Sequence, residues 1–468
     1  MKKTIFILLI SVGFLSCVKN QPVVNASLIV DVISENQADT SLFMLTPNIF
    51  KINQIFYLRN YLQDTILFSL EIPSPNASWL NVIFFQKIKV FSIAKQKKDS
   101  IYFEFSEKGI KCAVPSKNCT LEIEYYYMPD YVMFGDSGTL SASVMRVAAS
   151  WQSWYFTVPN VKFKDIQFTV PDNKKFFVSL PQKIKNNKIY LDCSNIPQYG
   201  VTFLVVNPSY YQNFNIGIGK SNFNIFAFKD INITNDSTFF ERLYVPKDTV
   251  LNTENYAKYL LPLENIEKIF SKNIRADIID GNISIQNAKM GQAFPVEKNN
   301  GFLFMDTACW RDAIGLHEII HLYNNIMPEK RDSAHYFFNE VMTEFLSTYF
   351  YYSIPEKRDS VFLAKITDYN KNYTAKVTIF EIKKNEILMK IDSKSRQLLG
   401  SYGPVYQKTP YKLYMFAKDI GEEKFFNLLT LFYKNVKKKN VCTFFDFEKT
   451  MKQNGVSDQQ WNDFIKDL

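Results

Sequence analysis

From about residue 26 to 207 the chain alternates apolar and polar positions in short runs. Leu28-Ile-Val-Asp-Val-Ile33, Lys87-Ile-Lys-Val-Phe-Ser-Ile93, Ile101-Tyr-Phe-Glu-Phe105, Leu121-Glu-Ile-Glu-Tyr125 and Val201-Thr-Phe-Leu-Val-Val206 carry the pattern. A period of two sends successive side chains to opposite faces of a strand, so each run predicts a strand with one buried face. Breaks such as Ile72-Pro-Ser-Pro-Asn76 and Val170-Pro-Asp-Asn173 separate the runs. A polar stretch rich in Gly and Asn, residues 207–222, then closes an all-β, sandwich-like domain expected over 18–222. Beyond about residue 250 the apolar spacing lengthens to that of helices. Trp310 to Ile326 suits one, with Asp306 or Thr307 to cap it and Pro328 past its end. Ser333 opens a second that runs to about Ser353, before Pro355. A third follows Pro404 and stops near Gly421, and a fourth covers Glu422 to about Val436. Thr443-x-x-Asp446 and Ser457-x-x-Gln460 read as capping boxes for two short last helices. The expected class is α+β: an all-β domain followed by a mainly helical one over 223–468.

The first seventeen residues stand apart from this pattern. Met1-Lys2-Lys3 is a basic lead, Thr4 to Leu15 is apolar, and Phe14-Leu15-Ser16-Cys17 follows. The apolar run is too short to span a bilayer, and no later run of eighteen apolar residues occurs. A small residue before a cysteine at that place resembles a bacterial lipobox. Residues 1–17 are thus expected to be a lipoprotein signal peptide, with Cys17 carrying the lipid; an ordinary secretory signal is the alternative. Either way the mature chain works outside the cytoplasm, and the first reading anchors it to a bacterial membrane. Hydrophobic residues at 47% and charged residues at 22% exclude a disordered chain. A net charge of +9 over 468 residues is too dilute to call for nucleic acid. The basic run from Lys434 to Asn440 complements a helix C-terminus instead. Cys112 and Cys119 flank a short loop and form either a disulfide or two free thiols, and no Cys-x-x-Cys pair suggests a thiolate metal site.

His317-Glu318-Ile319-Ile320-His321 is the strongest chemical signal, in a chain with three histidines in all. Residues four apart share a helix face, so both imidazoles reach one ion. Glu318 lies about 100° around the helix, placed to address a water on that ion rather than the ion. The bland alternative is a hydrogen-bonded histidine pair in a core. Catalytic zinc takes three protein ligands and keeps one position open. Glu340, separated from His321 by eighteen intervening residues and on the next expected helix, is the leading third ligand, with Glu344 and His335 as its rivals.

The spacing of His317-Glu318-Ile-Ile-His321 and Asn339-Glu340 resembles the gluzincin metallopeptidases of the membrane alanyl aminopeptidase family. Asn339-Glu340-Val-Met-Thr343-Glu-Phe345 and His321-Leu-Tyr323-Asn324 are similar to runs of the related glycyl aminopeptidases. Val405-Tyr406-Gln-Lys408 resembles the stretch that carries the family's catalytic tyrosine. The resemblance implies a thermolysin-like catalytic domain, one zinc per chain on His317, His321 and Glu340, Glu318 as general base, and Tyr406 as oxyanion donor, with Tyr402 second. The family's Gly-x-Met-Glu-Asn strand, whose Glu binds the substrate amine, has no intact copy here. Glu297, in Met290-Gly-Gln-Ala-Phe-Pro-Val-Glu297, is the candidate substitute for substrate binding, against a solvated loop carboxylate. The expected activity is zinc-dependent hydrolysis of peptide bonds in a peptide or protein substrate, with aminopeptidase action as the first reading. Endopeptidase action on the same zinc, or a non-catalytic surface lipoprotein that binds protein or glycan, are the alternatives.

Overall fold

The computed structural model describes residues 23–33, 49–69, 85–94, 97–106, 109–127, 144–147, 154–195, 201, 203–206, 208, 211–228, 253–280, 291–297, 299–305, 309–310, 313–324, 337–372, 403–439, 442–466 and 468. Cys17, His335 and Tyr402 lie outside them, as do the expected caps Asp306, Thr307 and Ser333. The chain divides into two compact units at Pro208/Ser209.

In the first unit eight strands form one sheet, in the order Gln182–Lys185, Lys188–Leu191, Val161–Thr169, Val24–Ile33, Ile49–Leu58, Cys119–Tyr127, Phe85–Ala94, Lys97–Ile101. Val24–Ile33 runs parallel to Val161–Thr169 and antiparallel to Ile49–Leu58. The alternation read from the sequence is plain in Ile49–Leu58, where Phe50, Ile52, Gln54, Phe56 and Leu58 are buried and the residues between them are not. Two three-stranded sheets pack aromatic rings against that face. Phe203 meets Phe50 edge-on at 5.0 Å, and Phe68 meets Phe56 at 4.5 Å. The expected strand Ile101–Phe105 is two strands. Ile101 pairs with Val90 in the large sheet, Phe103 pairs with Cys112 in a small one, and Tyr102 between them is 80% exposed. Cys112 and Cys119 are buried free thiols.

The second unit begins earlier than the boundary expected at 222/223, and it holds more sheet than a mainly helical domain would. Among the described residues a five-stranded sheet runs Tyr211–Ile218, Ser221–Phe228, Arg275–Asp280, Asn300–Met305, Gly291–Glu297. The reason lies in Ser221–Phe228, which pairs in parallel with Arg275–Asp280 and buries Phe223 and Ile225 in the core of the helical unit. Its hairpin partner Tyr211–Ile218 must therefore come with it. Helices Thr253–Leu260 and Leu263–Phe270 make the crossover between the parallel strands. The other helices among the described residues are Ala313–Tyr323, Met342–Tyr351, Pro355–Asn372, Thr409–Ile420, Glu422–Lys439, Phe444–Gln453 and Asp458–Ile465. Single π-type turns, Phe337–Val341 and Gly403–Lys408, precede the second and fourth of these. Thr443 accepts from the Asp446 amide at 3.0 Å, and Ser457 and Gln460 form a reciprocal capping box. Gly315 is needed where the first helix meets the chain before it, since a Cβ there would stand 2.9 Å from the Cys309 carbonyl oxygen. Among the described residues no helix is long and apolar enough to cross a membrane.

One buried polar side chain holds the first unit's core to its neighbouring loop. Gln54 donates to the Phe156 carbonyl at 2.6 Å and accepts from the Phe156 amide at 2.9 Å. Replacing Gln54 by Leu removes both partners from buried backbone groups, and about 2–4 kcal/mol of stability should go with them. Urea unfolding of the two proteins measures the difference, and an unchanged midpoint would show that water satisfies the Phe156 groups.

Candidate metal centre

His317 and His321 lie one turn apart on the helix Ala313–Tyr323, which is apolar on most sides because Leu316, Ile319, Ile320 and Leu322 are buried around it. Their Nε2 atoms are 3.0 Å apart, and Glu340 Oε2 is 3.6 Å from each. A point about 2 Å from all three atoms lies between them, the distance that zinc keeps from imidazole nitrogen and carboxylate oxygen. The three are a possible metal-ion group among the described residues. Two neutral imidazoles and one carboxylate are the donor set of a catalytic zinc, so the residues present fit that ion.

Local hydrogen bonds fix how the two elements meet. Glu340 comes from the π-type turn Phe337–Val341, and Asn339 donates to its second oxygen at 2.8 Å. Asn324, just past the histidine helix, donates to the Phe338 carbonyl and to Thr343 Oγ1, the latter at 3.1 Å. The Lys272 ammonium takes up the helix's terminal carbonyl of Leu322 at 2.6 Å, where a cation suits the dipole. Tyr323 donates to Ser221 Oγ at 2.8 Å, which in turn donates to Glu267 at 2.8 Å.

Glu344, the rival ligand, has a different place. Its Oε2 is 2.8 Å from His317 Nδ1, on the far side of the ring from the other donors. That contact puts the ring proton on Nδ1 and leaves the Nε2 lone pair for a metal. Lys365 reaches the other oxygen of Glu344 at 2.5 Å. Burial resists charging His317, but Glu340 and Glu344 outweigh it and raise its pKa to about 10. Burial lowers that of His321. Burial opposes the charge on Glu344, yet Lys365 and His317 hold its pKa down at about 2. Glu340 is likewise buried, and the histidines hold it well below the usual carboxylate range.

Tyr406 belongs to the π-type turn Gly403–Lys408, and its hydroxyl donates to Glu340 Oε2 at 2.8 Å. Burial and the Glu340 charge raise its pKa far above the ordinary phenol, so it stays a donor. Glu318 is half-buried one residue beyond His317, near enough for its charge to raise both His317 and Tyr406. Glu297 ends the edge strand Gly291–Glu297, paired with Asn300 beside the hairpin turn, and its side chain lies outside the described ones. The strand's Ala293 packs against the helical core. The structure therefore brings together His317, Glu318, His321, Glu340 and Tyr406. Lys365 was given no part by the sequence, because it sits in no motif and meets the site only through the fold.

No protein-family model matches the chain, and no curated protein matches it in sequence. Among solved structures, its fold is similar to that of the aminopeptidase N family protein from Idiomarina loihiensis. The TM-score is 0.59 at 11% identity, over 94% of this chain and 75% of that one. An M1 zinc metallopeptidase from Deinococcus radiodurans covers 92% of its own chain and 94% of this one, at 11% identity and a TM-score of 0.48. At this identity the Idiomarina likeness is one of fold.

The two carboxylates should separate cleanly in a metal analysis. Glu340→Ala should leave no tightly held zinc after dialysis, whereas Glu344→Ala should keep zinc with about 10–100-fold weaker affinity. Loss of zinc only in the Glu344 variant would reverse the assignment. Since His317 carries a proton up to a pKa of about 10 in the metal-free protein, zinc uptake near pH 7 should expel about one proton from Nε2. Calorimetry in buffers of different ionisation enthalpy counts it, and the release should fade as the pH rises past that value.

Proposed function

We propose that this chain is a zinc-dependent peptidase that removes N-terminal residues from peptides, working outside the cytoplasm on a lipid anchor at Cys17. The observation that carries the peptidase reading is the meeting of His317, His321 and Glu340 within one ion's reach, with Glu318 and Tyr406 beside them. Zinc bound there supplies Lewis acidity, which polarises a substrate carbonyl and acidifies water. Glu318 then takes the proton of the attacking water and hands it to the departing amine. Tyr406 turns its hydroxyl from Glu340 to the substrate oxygen as negative charge develops there. Glu344 keeps the His317 ring turned toward the metal through the reaction.

Action at the N-terminus is supported by the shared fold with a protein described as of the aminopeptidase N family. Internal cleavage on the same zinc is the second reading, because the edge strand offers one carboxylate for a substrate ammonium, Glu297 at its end, and no intact Gly-x-Met-Glu-Asn run.

Purified chain from residue 18, given each peptide in free and N-acetylated form with and without a chelator, decides between these readings. Stepwise loss from the free peptides alone supports the aminopeptidase, and Glu297→Gln should then raise KM if Glu297 binds the amine. Internal cuts that ignore the acetyl group support the endopeptidase. Glu318→Gln should keep its zinc and lose about 10²–10⁴-fold in kcat, and Tyr406→Phe about 10²-fold. Chelator-insensitive or absent cleavage would leave the protein-binding or glycan-binding lipoprotein as the reading to pursue.

A further inference from the structure

Lys365 stands on the helix Pro355–Asn372, outside the elements that carry the metal ligands. Its ammonium reaches two acceptors at once: Glu344 Oε1 at 2.5 Å and the backbone carbonyl of Tyr406 at 3.2 Å. The first acceptor leads to the metal site, because the other oxygen of Glu344 accepts a hydrogen bond from His317 Nδ1 at 2.8 Å. The second leads to the reacting substrate, because Tyr406 is the oxyanion donor. The Lys365 side chain is only 19% exposed, so it is held between these acceptors rather than sampling water.

We propose that Lys365 is a positioning residue that ties the orientation of His317 and the placement of Tyr406 to one cation. The inference rests on the peptidase reading above for its catalytic half, and on the metal site alone for the other half. Two physical arguments carry it. A carboxylate that orients a ligand must itself be held still, and the ammonium 2.5 Å from its other oxygen does that. In a π-type turn the backbone bonds are rearranged, and a donor from outside fixes the carbonyl of the residue that must be placed. A small displacement of Tyr406 would weaken its bond to the developing oxyanion far more than it would weaken substrate binding.

Lys365→Met in the full chain tests this. Zinc loss to a chelator should quicken about tenfold. kcat should fall about 10–100-fold while KM changes little. Peptides spanning 403–408 should exchange amide hydrogen about tenfold faster. The kcat loss should shrink to a few-fold when Tyr406→Phe is already present, since both changes then remove the same donor. Lys365→Arg should recover most of the turnover. The rival is a simple counter-charge for Glu344, and Lys365→Met combined with Glu344→Gln removes both charges together. Full return of kcat in that pair, or full multiplication with Tyr406→Phe, would overturn the tie to Tyr406. If the unaltered chain cleaves no peptide, the peptidase reading fails on its own; the zinc-loss and exchange rates still decide, and unchanged values for both would overturn the brace. Should the Met variant not fold, Lys365→Gln keeps a donor of similar reach and should show smaller changes in the same directions.

Discussion

Three donor atoms brought to within one ion's reach set the terms for the rest of the second unit. His317 and His321 share a helix face at no conformational expense, but Glu340 must arrive from another element at a fixed height and angle. That demand explains the density of specific contacts where the two elements meet. Gly315 lets the histidine helix lie against the Cys309 backbone. Asn324 binds the end of that helix to Phe338 and Thr343, and Lys272 takes its last carbonyl. Asn324 and Lys272 would be odd places for polar groups in a core built only for burial.

The same demand accounts for the two π-type turns. Phe337–Val341 delivers Glu340 and Gly403–Lys408 delivers Tyr406, and the two turns pack on each other. An α-helix advances about 100° per residue, and widening one turn re-aims the side chains on it without moving the helix that follows. Met342–Tyr351 and Thr409–Ile420 can therefore keep their buried faces, Phe345 and Leu346 on one and Leu413 and Phe416 on the other. Local irregularity is spent where chemistry needs aim, and the regular helices behind it supply the rigidity.

What was legible in the sequence follows from range. The histidine pair and Glu318 were visible because a helix of known period fixes their relation within five residues. Glu340 was legible through spacing, yet spacing could not separate it from Glu344 one turn later. The difference between them is which ring nitrogen each meets, and only the packed helices decide that. Lys365 and the Tyr406 carbonyl meet across 41 residues, with no pattern to announce them. The unit boundary was misplaced for the same reason, since Ser221–Phe228 owes its allegiance to a parallel partner about fifty residues on. Gly291–Glu297 was hard to read as a strand because Pro295 interrupts it. Its edge position and the register shift beside Pro295 are what make that proline tolerable.

The charges around the site also explain why it suits a divalent cation rather than a buried histidine pair. Glu318, Glu340 and Glu344 stand against Lys365, which leaves two negative charges unbalanced in a largely apolar setting. In the metal-free protein the proton on His317 meets one of them: Glu340 and Glu344 raise that imidazole to about 10, while burial lowers its neighbour His321. The second charge, on the half-buried Glu318, has no cation beside it in this count, and a nearby positive ion would favour it. A histidine pair serving structure alone would need one carboxylate or none beside it. A doubly charged ion on the two Nε2 atoms and Glu340 cancels both charges and releases the His317 proton. It leaves Glu344 and Lys365 as a matched pair behind the ring. The arrangement is balanced only when a dication is present, and that balance supports a metal-dependent role independently of any likeness to other proteins.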